Sequence, residues 1–147
     1  MDVVAHRRAL HAIPELDRQL SETTGYVRQV LEGLSCKVFS PTEGSVCAYF
    51  DQGRETTLAL RADMDALPIK EANEVDYISR HEGCMHACGH DTHMTMLLGA
   101  AKILNEHRDQ IPGTVRLFFQ TDEEGSRGAR RLCGEGAMDG VDAVFGT

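Results

Sequence analysis

The feature that most restricts the fold is an apolar helix set between two apolar strands. From Thr92 onward, Met94, Leu97, Leu98, Ala101 and Leu104 recur at spacings of three and four. That spacing lines one face of a helix, and Pro112-Gly113 breaks it. Residues 56–62 precede it as a strand with Leu58 and Leu60 on one face, and residues 114–120 follow it with Val115, Leu117 and Phe119 on one face. Strands alternating with helices predict an α/β layer structure.

The flanking elements fit the same scheme. Residues 2–12 read as a helix closed by Pro14, and Ser21 reads as the N-cap of a second helix that runs toward Gly33. Residues 36–51 change period and give two strands, Val38-Phe39 and Val46 to Phe50, separated by a turn through Pro41 and Gly44. Residues 51–54 form the next turn, residues 129–132 a short helix and residues 141–145 a last strand. Cys36, Cys47 and Cys133 read as small core residues.

Bulk properties exclude several classes. At 147 residues, 41% hydrophobic and 26% charged, the chain supports one ordinary soluble domain. The formal charge is -8 and no basic stripe appears, which excludes nucleic acid as an expected partner. No apolar run approaches the roughly 18 residues of a membrane span, and the first residues carry no secretory signal. Five irregularly spaced cysteines do not make a disulfide framework, so a cytoplasmic location is expected.

The chemistry concentrates between residues 63 and 93 and at residues 122–124. In open α/β sheets ligands sit beyond the carboxyl ends of the strands. Asp63 and Asp65 follow one strand, while Asp122, Glu123 and Glu124 follow the other. Four of the seven histidines (81, 86, 90 and 93) lie within thirteen residues that also hold Cys84 and Cys88. In an extended segment Cys88 and His90 point to the same side, and both side chains bind zinc-like metals. A carboxylate beside such a metal is the usual base that activates water.

Plainer readings stand beside this one. Cys88 and His90 also fit a buried thiol and a surface histidine, and Glu123-Glu124 a solvated acidic turn. A structural zinc held by Cys84, Cys88 and His90 is a further alternative. Asp63 and Asp65 are either turn residues ahead of Pro68 or supports that orient a histidine ligand.

Four segments in order carry a resemblance: residues 61–69 (Arg-Ala-Asp-Met-Asp-Ala-Leu-Pro-Ile), residues 86–93 (His-Ala-Cys-Gly-His-Asp-Thr-His), residues 113–120 and Glu123-Glu124-Gly125. With the entry segment Arg7 to Leu16 they resemble the M20 metallopeptidase family, in its amidohydrolase branch of hippurate hydrolases, N-acyl-amino-acid amidohydrolases and N-acetyldiaminopimelate deacetylases. The resemblance implies a three-layer α/β catalytic domain on a mixed, largely parallel sheet. It implies Cys88, His90 and Glu124 as metal ligands and Glu123 as general base and acid, with Asp63, Asp65, Asp91 and His93 in supporting positions. It also implies two divalent metals per complete site (manganese, zinc, cobalt or nickel), and N-acylated amino acids or small peptides as substrates cleaved by metal-activated water.

Two departures from the family pattern stand out. Thr121-Asp122 replaces the usual Pro-Ala ahead of the paired glutamates. Family members are also more than twice this length, and they draw two further histidine ligands from downstream. Residues 1–147 are therefore expected to be the N-terminal part of the catalytic domain, without the lid and dimerisation domain through which complete relatives homo-oligomerise and without the C-terminal catalytic segment. Weak metal binding and negligible turnover are expected of such a chain alone.

Overall fold

A computed structural model describes residues 1–53 and 56–147, so Arg54 in the expected 51–54 turn lies outside the described residues. Helix α1 (Val3–His11) opens on Asp2, whose carboxylate accepts from the Ala5 amide at 3.0 Å. Helix α2 spans Ser21–Glu32. Strands β1 (Lys37–Phe39), β2 (Val46–Phe50) and β3 (Thr57–Asp63) follow, then helix α3 (His90–Glu106). A single 3-10 turn at Arg108–Gln110 leads into strand β4 (Thr114–Gln120), helix α4 (Gly128–Gly134) and strand β5 (Ala143–Gly146).

One five-stranded mixed sheet has the order β1-β2-β4-β3-β5. The β1–β2 and β2–β4 pairs are antiparallel, while β3–β4 and β3–β5 are parallel. Helix α3 is the crossover that parallel neighbours require. Leu10 of α1, Val27 and Leu31 of α2, and Met94, Leu98 and Ala101 of α3 bury against Val46, Ala48, Val115, Leu117 and Phe119. On the opposite face Leu132 of α4 packs with Cys47, Ala59 and Phe118. The result is the α/β layering expected from the alternation, in the three layers that the resemblance implies, with β4 largely buried on both faces.

Several local expectations shift. Ser21 is the first helical residue rather than the N-cap; Leu20 occupies the cap and offers no side-chain bond. Glu15 supplies the missing acceptor from outside the helix, taking the Glu22 and Thr23 amides at 3.2 and 2.8 Å. A full carboxylate reaching two free amides displaces a serine hydroxyl that serves one. Helix α3 begins two residues before Thr92 and ends before Pro112. Leu60 packs against the core as expected, but Leu58 is exposed. Cys47 is a core residue whose thiol burial pushes up to about 12, and Cys36 is half-buried. Cys133 is exposed, which corrects its expected place in the core, because the short α4 turns its other face inward through Leu132.

Candidate metal centre

The parallel register sets the site. Asp63 stands opposite Gln120, and Arg61 opposite Gly146, so the ends of β3, β4 and β5 open onto one rim. Beyond them the chain passes through irregular structure to Gly89, whose φ of +88° places it in the left-handed region ahead of α3. Glycine adopts that conformation without strain. The turn delivers His90 as the first helical residue and leaves Cys88 exposed beside it. At the end of β4 the chain must turn sharply into α4. A Cβ at Gly128 would stand 1.7 Å from the Thr121 carbonyl oxygen, so only glycine fits there.

Cys88, His90 and Glu124 each offer a ligand atom within 4.8 Å of the others. The His90 Nδ1 lies 2.7 Å from the Asp65 carbonyl oxygen. That contact places the proton on Nδ1 and leaves the Nε2 lone pair free, 3.8 Å from carboxylate oxygens of both Glu123 and Glu124. The Asp65 carboxylate is buried and accepts the backbone amides of Glu123 and Glu124 at 2.9 and 3.0 Å. One aspartate thus fixes the histidine through its carbonyl and both glutamates through its side chain. Burial pushes the Asp65 carboxyl up, and the amides of Glu123 and Glu124 oppose that shift.

The Cys88 thiol is pushed up by partial burial, by a hydrogen bond with Glu124 and by the charges of Glu124, Glu123 and Asp63. A thiol among carboxylates repels an extra electron pair and welcomes a cation, and sulfur, nitrogen and oxygen donors together suit a borderline divalent ion. The donor set therefore fits a zinc-like metal, with Glu123 left beside it.

The expected supporting residues divide into two groups. Asp63 accepts from Arg61 at 2.8 Å and from His93 Nδ1 at 2.7 Å, and lies 3.5 Å from His90 Nε2. Asp63, His90 and His93 form a second group with metal-ligand spacing. His93 stacks on His90 with ring centroids 5.4 Å apart. Asp91 is turned away from this site. It is buried against Arg7 and His11, at 2.9 and 2.7 Å. Asp122 is buried at φ +56°, with its amide on the Asp17 carbonyl and its carboxylate 3.5 Å from Arg127, so it shapes the turn. Among the described residues no ligand cluster includes Cys84, which disfavours the three-residue structural zinc.

Two residues of this region had no role in the sequence reading. His11 and Glu71 are buried and bonded to each other at 2.9 Å, and His11 also holds Asp91. The signal available was a histidine next to Leu10 on the buried side of an amphipathic helix.

Comparison with known proteins places this geometry. A sequence model described as peptidase family M20/M25/M40 matches residues 59–147, more than half of the chain. The chain is 49% identical over 145 residues to an IAA-amino acid hydrolase (ILR1-like 2) of Arabidopsis thaliana, covering 98% of this chain and 33% of that protein. It is 47% identical over 149 residues to an N-acyl-L-amino acid amidohydrolase of Geobacillus stearothermophilus, covering 99% of this chain and 40% of that one. The crystal structure of the YXEP protein of Bacillus subtilis, described as a dinuclear metal binding peptidase of the M20 family, superimposes with a TM-score of 0.94 at 39% identity, covering 98% of this chain and 41% of that one. The chain thus spans about a third to two fifths of the length of these relatives. With this sheet, this cluster on its rim and these likenesses, the chain belongs to the M20 family of metal-dependent hydrolases.

Proposed function

We propose that residues 1–147 form the N-terminal part of the catalytic domain of an amidohydrolase that cleaves N-acylated amino acids or small peptides. The observation that carries this reading is the meeting of Cys88, His90 and Glu124 beside Glu123. Cys88, His90 and Glu124 would hold a divalent metal, two in a complete site. Such a metal polarises an amide carbonyl and makes water acidic enough to attack. Glu123, on the same turn, would take the proton from water and hand it to the leaving amine. Asp65 would keep His90 and the glutamate turn at fixed separation through the reaction. The names of the relatives support an N-acyl amino acid as the substrate, indoleacetyl conjugates included.

The domain assignment has its own support. Cys88, His90 and Glu124 are three protein donors, enough for one open metal position. The β5 strand leaves Val144 and Phe145 exposed, and α3 leaves Met96 and Ile103 exposed. An apolar edge and helix face of this kind suit burial by further polypeptide of the relatives' length.

The test is hydrolysis of a panel of N-acyl amino acids with added manganese or zinc. The 147-residue chain alone is expected to turn over negligibly. A chimera that continues into the downstream portion of the Geobacillus relative is expected to be active, and Glu123→Gln in that chimera to abolish activity while metal stays bound. An inactive, metal-loaded chimera would sink the amidohydrolase reading; full activity of the chain alone would sink the domain assignment.

A further inference from the structure

The candidate ligands come from two segments far apart in sequence: the 64–90 stretch, which carries Cys88 and ends on His90 at the start of α3, and the 121–124 turn, which carries Glu124. Both are fastened to one short piece of backbone. The Ala12 carbonyl accepts the Arg80 amide at 3.0 Å, and the Glu15 carbonyl accepts the Ala66 amide at 2.8 Å. The Pro14 carbonyl meets His81 Nδ1 at 2.7 Å. The Asp17 carbonyl accepts the Asp122 amide at 2.9 Å.

His11 is the centre of this fastening. Its Nδ1 lies 2.7 Å from Asp91 and its Nε2 lies 2.9 Å from Glu71, with all three side chains at most 3% exposed. The ring therefore bridges two carboxylates that belong to different parts of the chain. The Arg7 guanidinium meets Asp91 at 2.9 Å and lies 3.3 Å from the His11 Nδ1, so it closes the same buried cluster. Glu71 in turn accepts the Ser79 amide at 2.7 Å and the Asn73 side-chain amide at 3.0 Å, pinning the 71–79 stretch. Asp91 immediately follows His90, so the ion pair fixes the helix end from which His90 projects.

We propose that residues 11–17 are the template for the metal centre, with His11 as a positioning residue that acts on His90 through Asp91 and on the Cys88 segment through Glu71. The role rests on the metal reading above and adds to it a residue that touches neither metal nor substrate. Leu10, fully buried one position earlier, is the natural comparison.

The experiment compares His11→Gln, Glu71→Gln and Leu10→Ala in the 147-residue chain, at temperatures where each is folded. Co(II) is titrated by absorption, and hydrogen exchange is followed in peptides covering 66–90 and 120–126. Both N–H donors of glutamine sit on one nitrogen and cannot span carboxylates on opposite sides of the imidazole site, so His11→Gln is expected to weaken Co(II) binding by about 10- to 100-fold and to speed exchange in both peptides. Glu71→Gln is expected to do the same to a smaller degree. Leu10→Ala is expected to lower the melting temperature with Co(II) affinity and spectrum unchanged. Equal effects of His11→Gln and Leu10→Ala would overturn the proposal; should His11→Gln fail to fold, wild-type Co(II) binding by Glu71→Gln would overturn it instead. A wild-type chain without Cys88-dependent Co(II) absorption would refute the metal reading, and the exchange comparison would still decide whether His11 fastens these segments.

Discussion

Replacing Asp65 tests how the centre is assembled. Its carboxylate accepts the Glu123 and Glu124 amides, and its own carbonyl orients His90. Alanine removes both acceptors and leaves two amides on a turn whose neighbours Thr121 and Asp122 are buried. A hydrogen bond to a charged group contributes about 1.5–3 kcal/mol, and water reaches this turn in part, so a loss of about 3 kcal/mol is expected for Asp65→Ala. Asparagine keeps one oxygen but turns its amide group toward the second N–H, so about 2 kcal/mol is expected for Asp65→Asn. For a chain of this size that corresponds to a fall of roughly 6–10 °C in melting temperature. Freed from Asp65, the glutamate turn drifts from His90, and metal affinity is expected to fall by about 10- to 100-fold. Thermal unfolding and a metal titration on the same samples read both effects. A melting temperature within a degree of wild type, or unchanged metal affinity, would refute the account of Asp65.

Three further outcomes follow from the same geometry. Burial alone would raise the Glu71 carboxyl, but the bonds from His11, Ser79 and Asn73 outweigh it and take it from 4.5 to about 2. A depressed folded value means stability present above pH 4.5 and lost as pH falls toward 2, on the order of 3 kcal/mol; Glu71→Gln is expected to flatten that part of the stability profile, and an unchanged slope in acid denaturation would contradict it. Gly128→Ala drives a methyl group into the Thr121 carbonyl and is expected to destabilise by about 3 kcal/mol in urea unfolding, whereas Gly134→Ala, with open space around it, should be near neutral; equal effects would contradict the tight turn. Cys47 is held protonated in the core while Cys88 is exposed, so a thiol reagent under native conditions is expected to label Cys88 and spare Cys47; the reverse order in peptide mapping would contradict the placement.

The elements legible in the sequence were those whose packing is periodic. The Met94–Leu104 face and the alternation in residues 114–120 both record one apolar core, so element type and an α/β layering could be read directly. Cys88 and His90 could be paired because they are neighbours, and the acidic run 122–124 could be set on the same rim because strand ends share one; the choice of Glu124 as the ligand came from the resemblance alone. Nearness in sequence did not show the direction of Asp91: successive helical residues point about 100° apart, so His90 and His93 share a face while Asp91 points toward His11 and Arg7. The capping of α2 by Glu15 and the role of His11 were not readable. Their partners lie up to 80 residues away, and no local pattern records a pairing made only by the fold.

The most direct test of the central claim is the absorption spectrum of the Co(II)-loaded chain. A metal held by Cys88, His90 and Glu124 gives a thiolate-to-cobalt charge-transfer band that disappears in Cys88→Ser and persists in Cys84→Ser. A band that survives Cys88→Ser, or that depends on Cys84, would contradict the assignment of the centre.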